Sequence, residues 1–392
     1  MIRRLALGVA MGFVAGYGLV RLRTALDDLR APAATMPQPD PKTYAAVRRG
    51  LMLAGIARST AALGATAFVF ADPLQRALER IPLPLRTPAF IATLTLVDGL
   101  RDLPIDYVEG HRLERIYGTS DQTGPAWAQD HLKTIAIGLT VAACLAAFGD
   151  ALVRRAPRTW PWFAIGVTPV LLALANVIAP VYIMPMFNQY VPLEGPLAEK
   201  IRALASQFGV GHAAILRFDM SRQTKKANAF VTGVFGTERI VLADTLIEHF
   251  AEDEILFVVA HELGHYVRRD PWVAIALGTA FIAAAVLTAN AALRRSGRTL
   301  ASAADGTRFA FYASLVATIG SPLMSAASRA IERRADRFAV AATGDPHSGA
   351  RAFRRLREQN LAEDEGPRWA ELLFSSHPSL KSRIARLESA RV

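Results

Sequence analysis

Apolar positions in this chain gather into long runs rather than short alternations. The runs cover residues 5–20, 51–71, 88–103, 132–152, 160–186, 272–293 and 309–325. A helix needs about 20 mostly apolar residues to cross a bilayer. The last four runs meet that need in full. The first is shorter and opens Met1-Ile2-Arg3-Arg4, a basic start that a secretory signal shares. Its apolar stretch is long and no clean small-residue cleavage site follows it directly, which favours a retained anchor. The second run contains Arg58 and the third Asp98, so these two tilt or face a wet interior. Asp150, at a span end, reaches the interface. The pattern predicts a mainly α, polytopic membrane protein with about seven transmembrane helices.

Between the fifth and sixth runs the periodicity changes. A helix is expected over 197–208, then strand-like runs at 215–218, 229–235 and 239–242. Gly236-Thr237-Glu238 lies between the last two, which therefore read as a hairpin. A short helix follows at 245–250. The run 251–267 opens with Glu252, Asp253 and Glu254, acids suited to the positive end of a helix dipole. It stops at Arg268-Arg269-Asp270-Pro271, basic residues and then proline. Residues 24–47 read as a polar connector and 101–130 as an acidic loop with Asp102, Asp106, Glu109, Glu114 and Asp121. Residues 345–392 read as helical, broken at His377-Pro378. The expected organisation is an N-terminal transmembrane region (1–186), an extramembrane α+β part with a short sheet (187–271), two transmembrane helices (272–325) and C-terminal helices (326–392).

Composition agrees with the membrane reading. Apolar residues make up 52% and the mean hydropathy is +0.23. The net charge of +11 comes largely from arginine pairs beside the spans: Arg48-Arg49, Arg154-Arg155, Arg268-Arg269, Arg294-Arg295 and Arg333-Arg334. Such flanks belong to membrane proteins, and no interleaving of basic and aromatic residues suggests a nucleic-acid surface. The single Cys144 excludes an intrachain disulfide and a cysteine metal site. Counting Lys and Arg on the two sides does not fix orientation. Arg268, Arg269, Arg329, Arg333 and Arg334 at the ends of the last two spans favour a cytoplasmic side for the extramembrane parts that flank them. The Ala- and Arg-heavy composition suggests a bacterial source, hence the inner membrane.

The chemistry centres on His261-Glu262-Leu263-Gly264-His265, the pattern H-E-x-x-H. Helical positions four apart share a face, so His261 and His265 offer two imidazole nitrogens to one metal ion. Glu262 lies beside that ion and is placed to take a proton from its water. This is the arrangement of zinc-dependent hydrolysis, usually of a peptide bond. Two histidines on a polar helix face at a membrane edge are the bland alternative. A catalytic zinc needs a third protein ligand. Ala330-Ile331-Glu332-Arg333-Arg334-Ala335-Asp336 supplies Glu332, with Asp336 four later to orient a ligand from behind. These helices lead into or out of spans, so the metal sits near the bilayer surface or in a chamber roofed by helices.

The match extends further. Asn228-Ala229-Phe230-Val231-Thr232-Gly233 leads into Arg239-Ile240-Val241-Leu242-Ala243-Asp244-Thr245-Leu246, and Ser376-His377-Pro378-Ser379-Leu380 ends in Arg383-Ile384. Upstream stand Leu103-Pro104, Glu114, Gly118, Thr123, Trp127 and Asp130, then Met186-Phe187-Asn188 and Pro192-Leu193. With the H-E-x-x-H helix, these resemble the CAAX prenyl protease type 1 family of integral-membrane zinc endopeptidases, from about residue 50 to the C-terminus. The resemblance implies a ring of about seven transmembrane helices around a water-filled chamber, enclosing a gluzincin-like zinc metalloprotease domain. It implies Zn2+ on His261, His265 and Glu332, one ion per chain, and Glu262 as catalytic base. It makes Asp336 a proton donor or a support behind a ligand, and Arg383 its salt-bridge partner. Asn228 and His377 become residues that hold the substrate backbone or the oxyanion. Residues 229–234 suit an edge strand on which a peptide pairs through Ala229, Phe230 and Val231. This chain departs from the family at Tyr117-Gly118-Thr119, where an aromatic and an asparagine usually follow the glycine, and its N-terminal quarter is poor in aromatics.

The partners expected are a peptide or membrane-protein substrate and the lipid bilayer. A broad membrane-protein quality-control protease is the alternative within enzymes. Outside them, a non-catalytic channel or chaperone would keep zinc for structure. A structural site would be closed by a fourth protein ligand, and none is evident in the sequence.

Overall fold

The computed structural model describes residues 40–234 and 236–390. The first helix, α1 (Pro41–Ala65), starts where Asp40 accepts from the backbone N–H of Lys42 and Thr43, at 3.3 and 2.9 Å. It runs through a wider π-type turn (Thr66–Phe70) into α2 (Ala71–Ala77). Helix α3 (Leu83–Tyr107) passes through a second such turn (Val108–Arg112) into α4 (Leu113–Ile116). Next come α5 (Gly124–Arg155) and α6 (Trp160–Ile178), whose helical turns continue to Met186.

Among the described residues, five stretches are long and apolar enough to cross a membrane: Pro41–Ala77, Gly124–Arg155, Trp160–Met186, Asp270–Arg295 and Ala303–Thr343. They account for five of the seven expected spans. The run 5–20 lies outside the described residues. The run 88–103 falls within α3, where Arg86, Asp98, Arg101 and Asp102 dilute the apolar character. These charges have partners. Arg58 of α1 pairs with Asp102, and Arg101 reaches Asp98 at 2.6 Å and Asp102 at 2.8 Å.

Two sequence expectations need correction. The connector ends at residue 40, because α1 already covers 41–47. The acidic stretch 101–130 is mostly helical, with irregular backbone confined to 117–123. Asp102, Asp106, Glu114 and Asp121 are partnered side chains rather than loop markers. Asp106 faces His131 at 3.7 Å, and Glu114 is buried and hydrogen-bonded.

The extramembrane part carries a four-stranded sheet of order β1-β2-β4-β3: β1 (Tyr190–Pro192), β2 (Ala214–Phe218), β3 (Ala229–Thr232) and β4 (Arg239–Ala243). Strands β2 and β4 run parallel; β1–β2 and β3–β4 are antiparallel. The predicted hairpin is present, with Phe230 opposite Val241. Strand β3 ends at Thr232, because Gly233 turns the chain at φ 92°, where a Cβ would stand 2.2 Å from the Thr237 carbonyl oxygen. Three residues ending in proline show no alternation, so β1 had no sequence signal.

Helix α7 (Pro196–Ser206) precedes β2, and α8 (Asp244–His249) follows β4. Helix α9 (Glu252–Val267) then buries Phe257, Val259, Ala260 and Leu263 in one core with Ile240 and Leu242 of the sheet and Phe353 of α12 (Pro346–Gln359). Only Arg268 and Arg269 separate α9 from α10 (Asp270–Arg295), and Arg269 takes the left-handed conformation at φ 59°. Helix α11 (Ala303–Thr343) has 41 residues, about 60 Å at 1.5 Å each, roughly twice a bilayer core. Its C-terminal half therefore emerges from the membrane beside α9. Two short helices, α13 (Arg368–Phe374) and α14 (Leu380–Glu388), close the chain.

Candidate metal centre

Helix geometry sets His261 and His265 one turn apart on α9, and α11 brings Glu332 against them. Their donor atoms all lie within 4.8 Å of one another. His261 Nε2 is 3.3 Å from Glu332 Oε2, His265 Nε2 is 3.4 Å from Glu332 Oε1, and the two Nε2 atoms are 3.3 Å apart. Glu332 is 5% exposed, and its two carboxylate oxygens face nitrogens of His261, His265, His377 and Arg383. A buried carboxylate is held there by surrounding nitrogens, and the two Nε2 atoms of the H-E-x-x-H helix face it together. This donor set fits a divalent cation such as zinc. The helices can approach because position 264 is glycine. A Cβ there would stand 3.0 Å from Phe338 Cδ1 and 3.2 Å from its Cβ.

Each imidazole has its own carboxylate behind it. His261 Nδ1 lies 3.0 Å from Asp336 Oδ1, and His265 Nδ1 lies 3.0 Å from Asp270 Oδ2. A carboxylate on Nδ1 fixes the tautomer and turns the Nε2 lone pair toward the metal position. Both carboxylates are held in turn. Arg383 donates to Asp336 through Nη2 at 2.6 Å and Nε at 3.0 Å, and Arg334 Nη2 donates to Asp270 at 2.9 Å. The Arg383 guanidinium also stacks 4.0 Å above the Phe353 ring.

Glu262 adjoins the cluster. Burial pushes its carboxyl above the ordinary value, with the neighbouring imidazoles pulling the other way. His377, in the break between α13 and α14, is 60% exposed at its side chain, yet its Nδ1 comes within 3.0 Å of Glu332 Oε2.

Strand β3 is the sheet edge. The Ala243 N–H donates to Asn228 O at 3.0 Å, so residues 228, 230 and 232 turn their backbone polar groups toward β4. By the antiparallel alternation, Ala229 and Val231 turn theirs to the open side. Two residues before Ala229 the edge is closed, because the Asn360 carboxamide accepts from Ala227 N–H at 2.8 Å and donates to its carbonyl at 3.3 Å. The Asn228 side chain is exposed.

Among known proteins, two family models together match most of the chain. The description "Peptidase family M48" covers residues 193–391, a range that holds the sheet edge and the whole metal cluster, and "CAAX prenyl protease N-terminal, five membrane helices" covers 56–189. The chain belongs to peptidase family M48. A CAAX prenyl protease 1 homolog from Oryza sativa subsp. japonica is 31% identical over 327 residues, spanning 78% of this chain and 74% of that protein. The uncharacterized metalloprotease YhfN of Bacillus subtilis (strain 168) is 28% identical over 314 residues, with the same shares. The crystal structure of S. mikatae Ste24p superposes with a TM-score of 0.76 over 97% of this chain and 96% of that one, at 22% identity, a likeness of fold. This M48 member is an integral-membrane zinc metalloprotease acting on peptide or protein substrates.

The structure of this M48 chain gathers His261, Glu262, His265, Glu332, Asp336, His377 and Arg383 in one cluster, with Asn228, Ala229, Phe230 and Val231 on the sheet edge. Sequence reasoning missed Asp270, which it took only as part of a helix stop. The signal was present: an acid five residues after His265 and just before a proline.

Proposed function

We propose that one zinc ion per chain is held by His261, His265 and Glu332, and that the chain is an endopeptidase working at the membrane surface. The carrying observation is the convergence of two Nε2 atoms and a buried carboxylate within 4.8 Å of one another. When bound, zinc supplies Lewis acidity and lowers the pKa of its water toward neutrality.

The remaining work falls to side chains and backbone. Glu262 takes the proton of the attacking water and passes it to the leaving amine. A carboxylate whose pKa is raised by burial is the better base for this near neutral pH. His377 and Asn228 hold the oxyanion. The substrate pairs with the open edge at Ala229 and Val231, with Phe230 helping to form that surface, so recognition rests largely on main-chain hydrogen bonds. Asp336, kept ionised by Arg383 despite its burial, holds His261 rather than donating a proton.

The names of the relatives support CAAX-type processing as the activity. The catalytic unit is residues 187–271 together with 326–392, with the spans of 272–325 inserted between them and the transmembrane region 1–186 before them. About seven spans would enclose a chamber. The basic residues Arg268, Arg269, Arg333 and Arg334 support an active site on the cytoplasmic side of a bacterial inner membrane. Glu262→Gln tests the chemistry. It is expected to keep stoichiometric zinc while cleavage falls about a hundred- to ten-thousand-fold. Cleavage at the wild-type rate would end this reading.

A further inference from the structure

We infer that Arg329 is a positioning residue that sets His377 over the metal site by gripping the end of α13. This rests on the oxyanion role proposed for His377.

Arg329 lies on α11 three residues before Glu332, so both look out from one helix face. It is 8% exposed. Its Nη1 donates to Glu371 O at 2.8 Å and to Ser375 O at 2.7 Å, and its Nη2 lies 3.3 Å from Leu372 O. Among the described residues no carboxylate pairs with it, so a buried charge is matched by backbone carbonyls alone. Glu371 O and Leu372 O belong to the last turn of α13 and Ser375 O lies just past it; Glu371 O also accepts from the Ser375 N–H at 3.3 Å, and a guanidinium fits such a helix end in both charge and hydrogen bonding.

The turn after α13 gives this grip its meaning. Ser375 leads, two residues on, to His377, and the Ser375 hydroxyl donates to His377 O at 2.6 Å. Among residues 375–379 only Pro378 is buried. The His377 side chain is mostly in solvent, and α13 has no buried residue. Helix α13 instead exposes Trp369, Leu372 and Leu373. Through Arg329, the helix that carries Glu332 also holds the turn that presents His377. The candidate ligand and the candidate oxyanion donor, 45 residues apart in sequence (377 minus 332), are thereby referred to the same backbone.

The test is a double-mutant cycle on the full-length enzyme in detergent or lipid, using Arg329→Met, His377→Ala and both together. His377→Ala alone is expected to lower kcat about a hundredfold. Arg329→Met is expected to lower kcat about tenfold or more with KM within about twofold, and to add nothing in the His377→Ala background. Arg329→Lys keeps the charge with fewer hydrogen bonds and should recover part of the loss. If Arg329→Met melts early, Arg329→Lys takes its place in the cycle as the milder change. A readout independent of turnover is hydrogen exchange in metal-free protein: amides over 371–378 should exchange faster in Arg329→Met while those of α9 do not. Equal kcat losses from Arg329→Met with and without His377 would overturn the inference while leaving the role of His377 standing. A silent His377→Ala would remove that role, and the inference with it.

Discussion

Asp270 Oδ2 stands 3.0 Å from His265 Nδ1, just as Asp336 Oδ1 stands 3.0 Å from His261 Nδ1. The two imidazoles of the H-E-x-x-H helix are thus backed symmetrically, one by the first residue of a membrane span and the other by the helix that carries Glu332. Removing such an outer partner typically costs 10- to 100-fold in metal affinity or activity. Asp270→Asn is therefore expected to lose zinc to a chelator about 10 to 100 times more readily and to regain much of its activity in excess zinc. Zinc content after graded chelator dialysis measures this, and an unchanged zinc affinity would show that Asp270 does not support His265.

Gly264 controls how closely the helices bearing the three donors approach. A methyl group there meets Phe338 at its Cβ and ring, and the Cβ has little freedom to retreat. Gly264→Ala should cost about 1–3 kcal/mol through overpacking and push Glu332 away from the imidazoles. Thermal melting and metal content should fall together. Full zinc occupancy at an unchanged melting temperature would contradict the close approach.

The open edge of β3 predicts opposite outcomes for adjacent prolines. Val231→Pro removes an N–H that faces away from β4, so the sheet should survive while KM rises several-fold, about 1 kcal/mol for one lost hydrogen bond. Phe230→Pro removes an N–H that faces Val241, and the protein should be destabilised. Steady-state kinetics and melting curves separate the two. Equal KM values for Val231→Pro and wild type would argue against strand addition.

Glu114 ties the membrane region to the segment just before β3. Its carboxylate accepts from Tyr44 at 2.6 Å and Lys226 at 2.7 Å, and also from Thr119 and Arg48. Burial alone would raise its pKa, but the hydrogen bonds from Lys226, Thr119 and Tyr44 together outweigh burial and hold it below the ordinary 4.5. A depressed carboxylate pKa gives stability that is complete above the unfolded value and is lost as pH falls through the folded one. Wild type should therefore lose stability steeply below pH 4.5. Glu114→Gln should be less stable at neutral pH, by about 1–3 kcal/mol because Arg48 is half exposed, and flatter in acid. Melting temperature against pH checks both slopes.

Much of the site was legible in sequence, for physical reasons. Spacing of four on a helix needs no tertiary information to bring His261 near His265, so the centre was readable to that extent. Glu332 was reachable because a catalytic zinc requires a third ligand. Strands β3 and β4 announced themselves through a glycine-containing turn. Other features depended on contacts that periodicity cannot carry. Strand β1 exists only because β2 offers it an edge. The acids of 101–130 read as a loop because their partners Arg58, His131 and Lys226 are distant in sequence or on other elements. Asp270 was hidden because its role depends on the left-handed turn at Arg269 folding the chain back toward His265.

That turn has a consequence for what the enzyme can cut. Asp270 both begins a span and braces His265, so the depth of the reaction centre relative to the lipid is written into the covalent chain. Two residues of slack leave almost no vertical travel. A scissile bond would have to be carried to that height. Selection by altitude would then precede any selection by side chain.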